Sequence, residues 1–186
     1  MQIVTGWRMN EKMEMFMNHQ REMTFIDIKE FNLPAYGDIP DVGLFLEQTT
    51  KYVSEYLKPL QGVSVTGSMI SNYVKKKMID NPVKKQYFRE QIADIFFIAV
   101  TKSVLSLEDI QLLIELQKKT YDCETAYEYF RLELKNVLFY VCGLKEELEK
   151  VGQEQTSEMI LLRNTIMTVA HKVYLDKYLL TVRNKP

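Results

Sequence analysis

The chain has 186 residues, 46% hydrophobic and 26% charged, with a net charge of −1. That length supports one hydrophobic core without disulfides or a structural metal. With only 7 Gly and 5 Pro, a collagenous or low-complexity chain is excluded. A near-neutral molecule is no polycation, so any nucleic-acid contact has to come from a local basic patch.

The longest apolar run, Ile92 to Val100, is broken by Asp94. It is far shorter than the roughly 20 residues of a membrane span, so a soluble protein is expected. Met1 to Arg8 lacks the apolar stretch of a secretory signal. Cys123 and Cys142 form no C-x-x-C pair, and His19 and His171 stand alone, so no zinc site, metal or cofactor is expected. Two free thiols fit a reducing cytoplasm.

Asn10 to Thr24, with Met13, Met15, Phe16, Met17 and Met23, reads as a helix with an adaptable Met-rich face. Leu33-Pro34 through Ile39-Pro40 reads as an extended linker, because proline pushes its predecessor out of the helical region. Asp41 then reads as the N-cap of a helix to about Leu57, with Leu44, Phe45, Tyr52, Val53, Tyr56 and Leu57 at helical spacing. Pro59 and Gly62 end it. A second helix is expected over Gly67–Lys77. Its apolar face is Met69, Ile70, Tyr73, Val74 and Met78, and its polar face is Ser68, Ser71, Asn72, Lys75 and Lys76. Pro82 to Tyr87 is a short connection, and any strand there is at most a small wing.

Arg89 to Leu105 is apolar nearly all round, as in the central helix of a core. Ser106, three residues before Asp109, opens the next helix in a capping arrangement. Further on, Tyr127, Phe130, Leu134, Val137, Val141, Leu144 and Leu148 alternate spacings of three and four, an unbroken heptad seam. After a polar break over 152–157, Met159, Leu162, Ile166, Val169 and Val173 repeat it. Two such helices joined by a short loop predict an antiparallel hairpin. It serves either as a domain core or as a homodimer interface.

The charge is unevenly spread. Residues 66–90 carry Lys75, Lys76, Lys77, Lys84, Lys85 and Arg89 against Asp80 and Glu90, a net +4, which leaves −5 for the remainder. A basic island on an acidic chain supplies phosphate contacts, or else is a solvated lysine face. Ser71 and Asn72 are of the type that addresses base edges, Asn pairing bidentately with adenine. Lys75 and Lys76 lie one turn on, and Lys84 and Lys85 sit where a wing would be.

These residues carry a resemblance. Ser68-Met69-Ile70-Ser71-Asn72-Tyr73-Val74-Lys75-Lys76-Lys77, then Pro82, Lys85, Tyr87 and Arg89, then Ser106-Leu107-Glu108-Asp109-Ile110, resemble the MerR-type DNA-binding domain. More closely, Leu33-Pro34, Ile39-Pro40, Met69 to Lys75 and Pro82 to Tyr87 resemble the bacterial family catalogued as domain of unknown function 1836. The MerR-like pattern departs at four points: Ser71 replaces a DNA-contacting Arg, Asn72 an aromatic, Lys77 the Gly that ends the recognition helix, and the wing is short. Tyr73 and Tyr87 fit core anchors.

The resemblance implies an all-α protein: a MerR-like winged helix-turn-helix at 41–118, preceded by an arm and linker at 1–40. An antiparallel helical hairpin for dimerisation or effector binding follows at 119–186. The expected function is sequence-specific binding of double-stranded DNA as a homodimeric transcriptional regulator. Ser68, Ser71 and Asn72 would read bases, and Lys75, Lys76, Lys84, Lys85 and Arg89 would hold phosphates. The rival expectation is a helical protein-interaction module that keeps the fold without DNA. No P-loop, Gly-x-Gly-x-x-Gly, His-Glu-x-x-His or Gly-x-Ser-x-Gly motif points to an enzyme. Tyr121, Tyr127, Tyr129, Phe130, Phe139 and Tyr140 read as hairpin core or as the lining of a small-molecule effector pocket.

Overall fold

The computed structural model describes residues 24–152 and 156–184. The Met-rich helix expected from Asn10 falls outside them. The described chain is mostly helical with one two-stranded sheet. In order it forms α1 (Ile26–Lys29), a 3-10 turn (Tyr36–Asp38), β1 (Leu44–Phe45), α2 (Leu46–Leu57), α3 (Gly67–Lys75) and β2 (Gln86–Tyr87). There follow α4 (Arg89–Thr101), α5 (Leu107–Lys118), α6 (Cys123–Val141) and α7 (Ser157–Arg183). No helix among the described residues is long and apolar enough to cross a membrane.

The all-round apolar helix takes the centre, as its composition predicts. Ile92, Ile95, Phe96, Ile98, Ala99 and Val100 of α4 are fully buried. Phe96 meets Tyr52 and Tyr56 of α2 and Tyr127 of α6, while Phe97 packs edge-on against Phe130 of α6 at 5.3 Å. At about 1.5–3 kcal/mol for each large side chain removed from water, this helix ties both halves of the chain together. The linker joins the same core through buried Phe25, Ile28, Phe31, Leu33 and Ile39. Tyr127 donates its hydroxyl to the Pro34 carbonyl at 3.0 Å. The segments divided at residues 40 and 118 therefore share one core.

Several helix boundaries differ from expectation. The helix after the linker starts at Leu46, not after Asp41, because Gly43 turns the chain with φ 72° and Leu44–Phe45 pair antiparallel with Gln86–Tyr87. A Cβ on Gly43 would lie 3.0 Å from Gln86 and Phe88 side-chain atoms, which would have to give way, at a φ that other residues rarely adopt. The Gln48 side-chain oxygen then accepts from the Phe45 N–H at 2.9 Å and starts α2. The heptad seam also stops early. Gly143, at φ 69°, ends α6 in a Schellman motif, with Leu144 N–H to Phe139 O at 2.8 Å and Gly143 N–H to Tyr140 O at 3.0 Å. Leu144 and Leu148 still pack on the core, but from outside any helix.

That early stop overturns the antiparallel hairpin. The Asn136 amide donates to the Glu149 carbonyl at 2.9 Å, and a Cβ on Gly152 would lie 3.5 Å from Tyr129. The connection therefore runs back along α6. Tyr121 and Thr156 hydroxyls then meet at 3.0 Å just ahead of the two helices, and Glu133 meets Arg163 at 3.0 Å further along both. Contacts advancing in the same order make α6 and α7 parallel. The reason is reach: 19 helical residues span about 28 Å, and the connection, at about 3.3 Å per extended residue, is long enough to return that distance. Leu162, Ile166, Val169 and Val173 form the buried face of α7, as the second seam predicts.

One half-buried charge, the Asp94 carboxylate at 19% exposure, makes a pH prediction. Burial raises the Asp94 carboxyl from an ordinary 3.8 to about 6, against the pull of Lys118 at 3.3 Å and with a further push from Asp80 and Glu90. A folded-state pKa above the unfolded value means that the folded chain holds a proton the unfolded chain has released. Asp94 therefore favours folding at low pH, and that contribution is lost as pH rises from about 4 through 6. Asp94→Asn is expected to leave stability at pH 4 unchanged and to raise it at pH 8 by on the order of 2 kcal/mol. Urea denaturation at both pH values checks this, and an equal effect at both would contradict it.

Candidate nucleic-acid interface

The basic island folds into two features in succession, a short helix and a hairpin. Thr66 caps α3, its hydroxyl accepting from the Met69 N–H at 3.2 Å. Ile70 and Tyr73 are buried, which anchors one side of the helix. Ser68, Ser71, Asn72, Lys75 and Lys76 are all exposed on the other, as their spacing predicts. The Ser71 hydroxyl donates back to Gly67 O at 2.9 Å, and Ser68 and Thr66 hydroxyls lie 2.9 Å apart. Asn72 and Lys75 project from the middle and end of this face.

The helix ends at Lys75, two residues before the expected Lys77. Lys77 takes φ 57°, with Met78 N–H bonded to Tyr73 O and Lys77 N–H to Val74 O, both at 2.9 Å. This is the left-handed stop that glycine ordinarily supplies, here occupied by an exposed lysine. The next lysines repeat the anomaly. Val83 and Gln86 exchange backbone bonds at 3.0 and 2.9 Å across Lys84 and Lys85, whose φ values are 51° and 65°. Positive φ at both central residues is the signature of a type I′ hairpin, a turn that favours Asn-Gly. Among the described residues, these three lysines are the only non-glycine positions with positive φ. All three are exposed.

Below the hairpin the structure is firmly held. Tyr87 is buried, and Gln91 donates its side-chain amide to Asp80 O at 3.0 Å and Asn81 O at 3.1 Å. Its oxygen accepts from the Phe88 N–H at 2.8 Å. Gln91 thus fixes the loop that carries the hairpin. Sequence reading missed it because a polar residue on an apolar helix gives no spacing signal of its own. Gly62, at φ 81°, lies in the connection between α2 and α3 and passes under α7, where a Cβ would come within 2.7 Å of the Asp176 carboxylate.

Two of the expected phosphate-contacting residues are engaged within the chain. Arg89 donates Nε to Ile39 O at 3.0 Å and Nη2 to Gly37 O at 3.3 Å, and its guanidinium lies 5.6 Å from the Tyr36 ring centre. It clamps the linker instead of joining the lysines. Lys76 pairs with Glu108 at 2.9 Å; both side chains are substantially exposed, and such pairs are weak enough to exchange for a phosphate. Ser106 caps α5 as expected, its hydroxyl accepting from the Asp109 N–H at 3.1 Å, and so presents Glu108 to Lys76.

The aromatic residues of the second half divide among the core, the solvent face and surface clefts. Tyr127 and Phe130 are core and Tyr140 faces solvent; Tyr121 and Tyr129 border a cleft of about 30 Å³, room for a single water, and Tyr129 also borders an open cleft of about 590 Å³ with Leu148, Arg163 and Met167. Cys142 is buried and Cys123 is half-buried. No group of metal-ligating side chains occurs among the described residues.

The family model described as a domain of unknown function (DUF1836) matches residues 34–130, just over half of the chain. The chain belongs to this family. The match begins in the linker, takes in α3, the lysine hairpin and α4, and ends at Phe130 where α6 meets Phe97. The clamp made by Arg89 and the stop at Lys77 therefore lie inside the DUF1836 region. Neither a curated protein nor a solved structure matches the chain.

Proposed function

We propose that this protein binds double-stranded DNA sequence-specifically through a winged helix-turn-helix of MerR-like type, and regulates transcription as a homodimer. What supports this reading is the exposed polar face of α3, followed along the chain by a hairpin whose tip is two exposed lysines with positive φ. Ser68, Ser71 and Asn72 address base edges in the major groove. Lys75, Lys76, Lys77, Lys84 and Lys85 contact phosphates. Arg89 is left out of the phosphate set because its donors already serve the linker.

The test is selection of bound fragments from a randomised pool of double-stranded DNA by the full chain at two salt concentrations. Enrichment of an inverted repeat is expected, with affinity falling steeply as salt rises. For the enriched site, Lys75→Ala is expected to weaken binding on all sequences and to lower the salt slope by about one. Asn72→Ala is expected to relax preference at one base position instead. A folded protein that enriches nothing and shows no salt-dependent retention would overturn the reading in favour of a protein-interaction module.

A further inference from the structure

Helix α7 carries two seams. One is the buried face already described. The other lies half a turn round, where Leu161, Asn164, Thr168, His171, Leu175, Tyr178 and Val182 alternate spacings of three and four, all of them exposed. The apolar members, with Ile160 and Leu179 beside them, are 44–52% exposed. Together these side chains offer on the order of 500 Å² of apolar surface, at the upper end of what a monomer's largest patch exposes. With its flanks, such a strip along a helix of about 40 Å approaches the roughly 800 Å² per partner of a stable interface.

We infer that this outward face of α7 is the surface on which two copies of the chain associate, helix against helix. Three features select a second copy. The period of the seam is that of a coiled coil, so its partner is a helix with the same repeat. The seam holds no Asp, Glu, Lys or Arg, so two copies meet along it without like-charge opposition. Lys172, adjacent to it, is paired with Asp176 of its own helix at 2.5 Å. The seam also has a polar centre that matches itself. Asn164 donates to Ile160 O at 2.8 Å, Thr168 to Asn164 O at 2.9 Å, and His171 Nδ1 lies 2.7 Å from Met167 O. Each therefore satisfies its own helix backbone while keeping an amide oxygen, hydroxyl lone pair or ring nitrogen for the facing helix. A few polar groups within an apolar seam fix register in this way.

The homodimer is part of the DNA-binding reading, but this surface is tested without DNA, so the two fail separately. Sedimentation of the full chain is expected to give a species of twice the 22.0 kDa chain mass. Leu175→Glu with Tyr178→Glu is expected to give the monomer, with a helical signal unchanged because both side chains already face solvent. Leu132→Glu, at an equally exposed apolar position on α6, is expected to leave the dimer intact. Should the double glutamate variant lose its helical signal, Leu175→Ser with Leu179→Ser replaces it. A wild-type monomer at 50 µM, a dimer that survives the α7 substitutions, or one that Leu132→Glu disrupts equally would each overturn the inference. A dimer that binds no DNA would uphold it and remove the function proposed above.

Discussion

Arg163→Ala is expected to lower stability at pH 7 by about 3 kcal/mol, a large part of what a domain of this size holds in reserve. The reason is Glu133, whose carboxylate has no solvent exposure. Arg163 Nε stands 3.0 Å from one of its oxygens, and the Asn136 amide donates to the other at 3.2 Å. Asn136 in turn bonds the Glu149 carbonyl and accepts from Lys145, so the network also holds the returning connection against α6. Burial raises the Glu133 pKa above the ordinary carboxylate range, while Asn136, Arg163 and Lys145 oppose the rise. Removing the guanidinium leaves a desolvated charge in contact only with the neutral Asn136 amide, with the Lys145 ammonium reaching it across Asn136.

The same argument fixes the pH dependence. Without Arg163 the folded-state pKa of Glu133 rises further, so the folded chain takes up a proton at mildly acid pH and escapes the penalty. The loss seen at pH 7 should therefore shrink markedly by pH 5. Thermal melts would show a fall of roughly 10 °C at pH 7 and a smaller one at pH 5. Replacing both partners by leucine should recover most of the loss, since an apolar pair carries no desolvation cost. A change below about 1 kcal/mol, or one independent of pH, would mean that the carboxylate is not held as the geometry states.

How much of this was legible beforehand depends on what the residues signal locally. The central helix, the Ser106 cap, the polar face at Ser68 to Lys76 and the inner seam of α7 follow from periodicity, and each stands where spacing put it. What failed is what periodicity cannot carry. A heptad pattern runs through Gly143 as though the helix did, because Leu144 and Leu148 remain apolar and inward-facing after the chain has left the helix. Gly143 itself was the available signal, since it supplies the left-handed residue of a Schellman stop. Missing it shortened the expected connection and reversed the direction of α7. Arg89 failed differently: a count of charges records a cation but not the Ile39 and Gly37 carbonyls that occupy it. The strained lysines had no local signal, because nothing in Lys-Lys asks for a type I′ turn. Only pairing of the flanking residues imposes it.

That imposed turn yields the second large effect. Replacing Lys84-Lys85 by Asn-Gly is expected to stabilise the folded protein and weaken DNA binding at once. An L-residue other than Asn, Asp or Gly in the left-handed region costs roughly 1 kcal/mol, and the hairpin holds two side by side. Asn-Gly adopts the same turn without that strain, so a gain of about 1–2 kcal/mol is expected in urea denaturation. The replacement also removes two positive charges per chain from the hairpin tip. On the DNA-binding reading this lowers the salt slope by about two per protomer and affinity by at least about tenfold at moderate salt. Strain retained at a surface turn that solvent alone does not demand is what a contact role for both ammonium groups would explain. Lys77→Gly separates the two effects at a single position, relieving one left-handed lysine while removing one charge. If the Asn-Gly variant gains stability and keeps its affinity, the hairpin lysines have no part in DNA binding. If it loses stability, the turn is not strained as its φ values indicate.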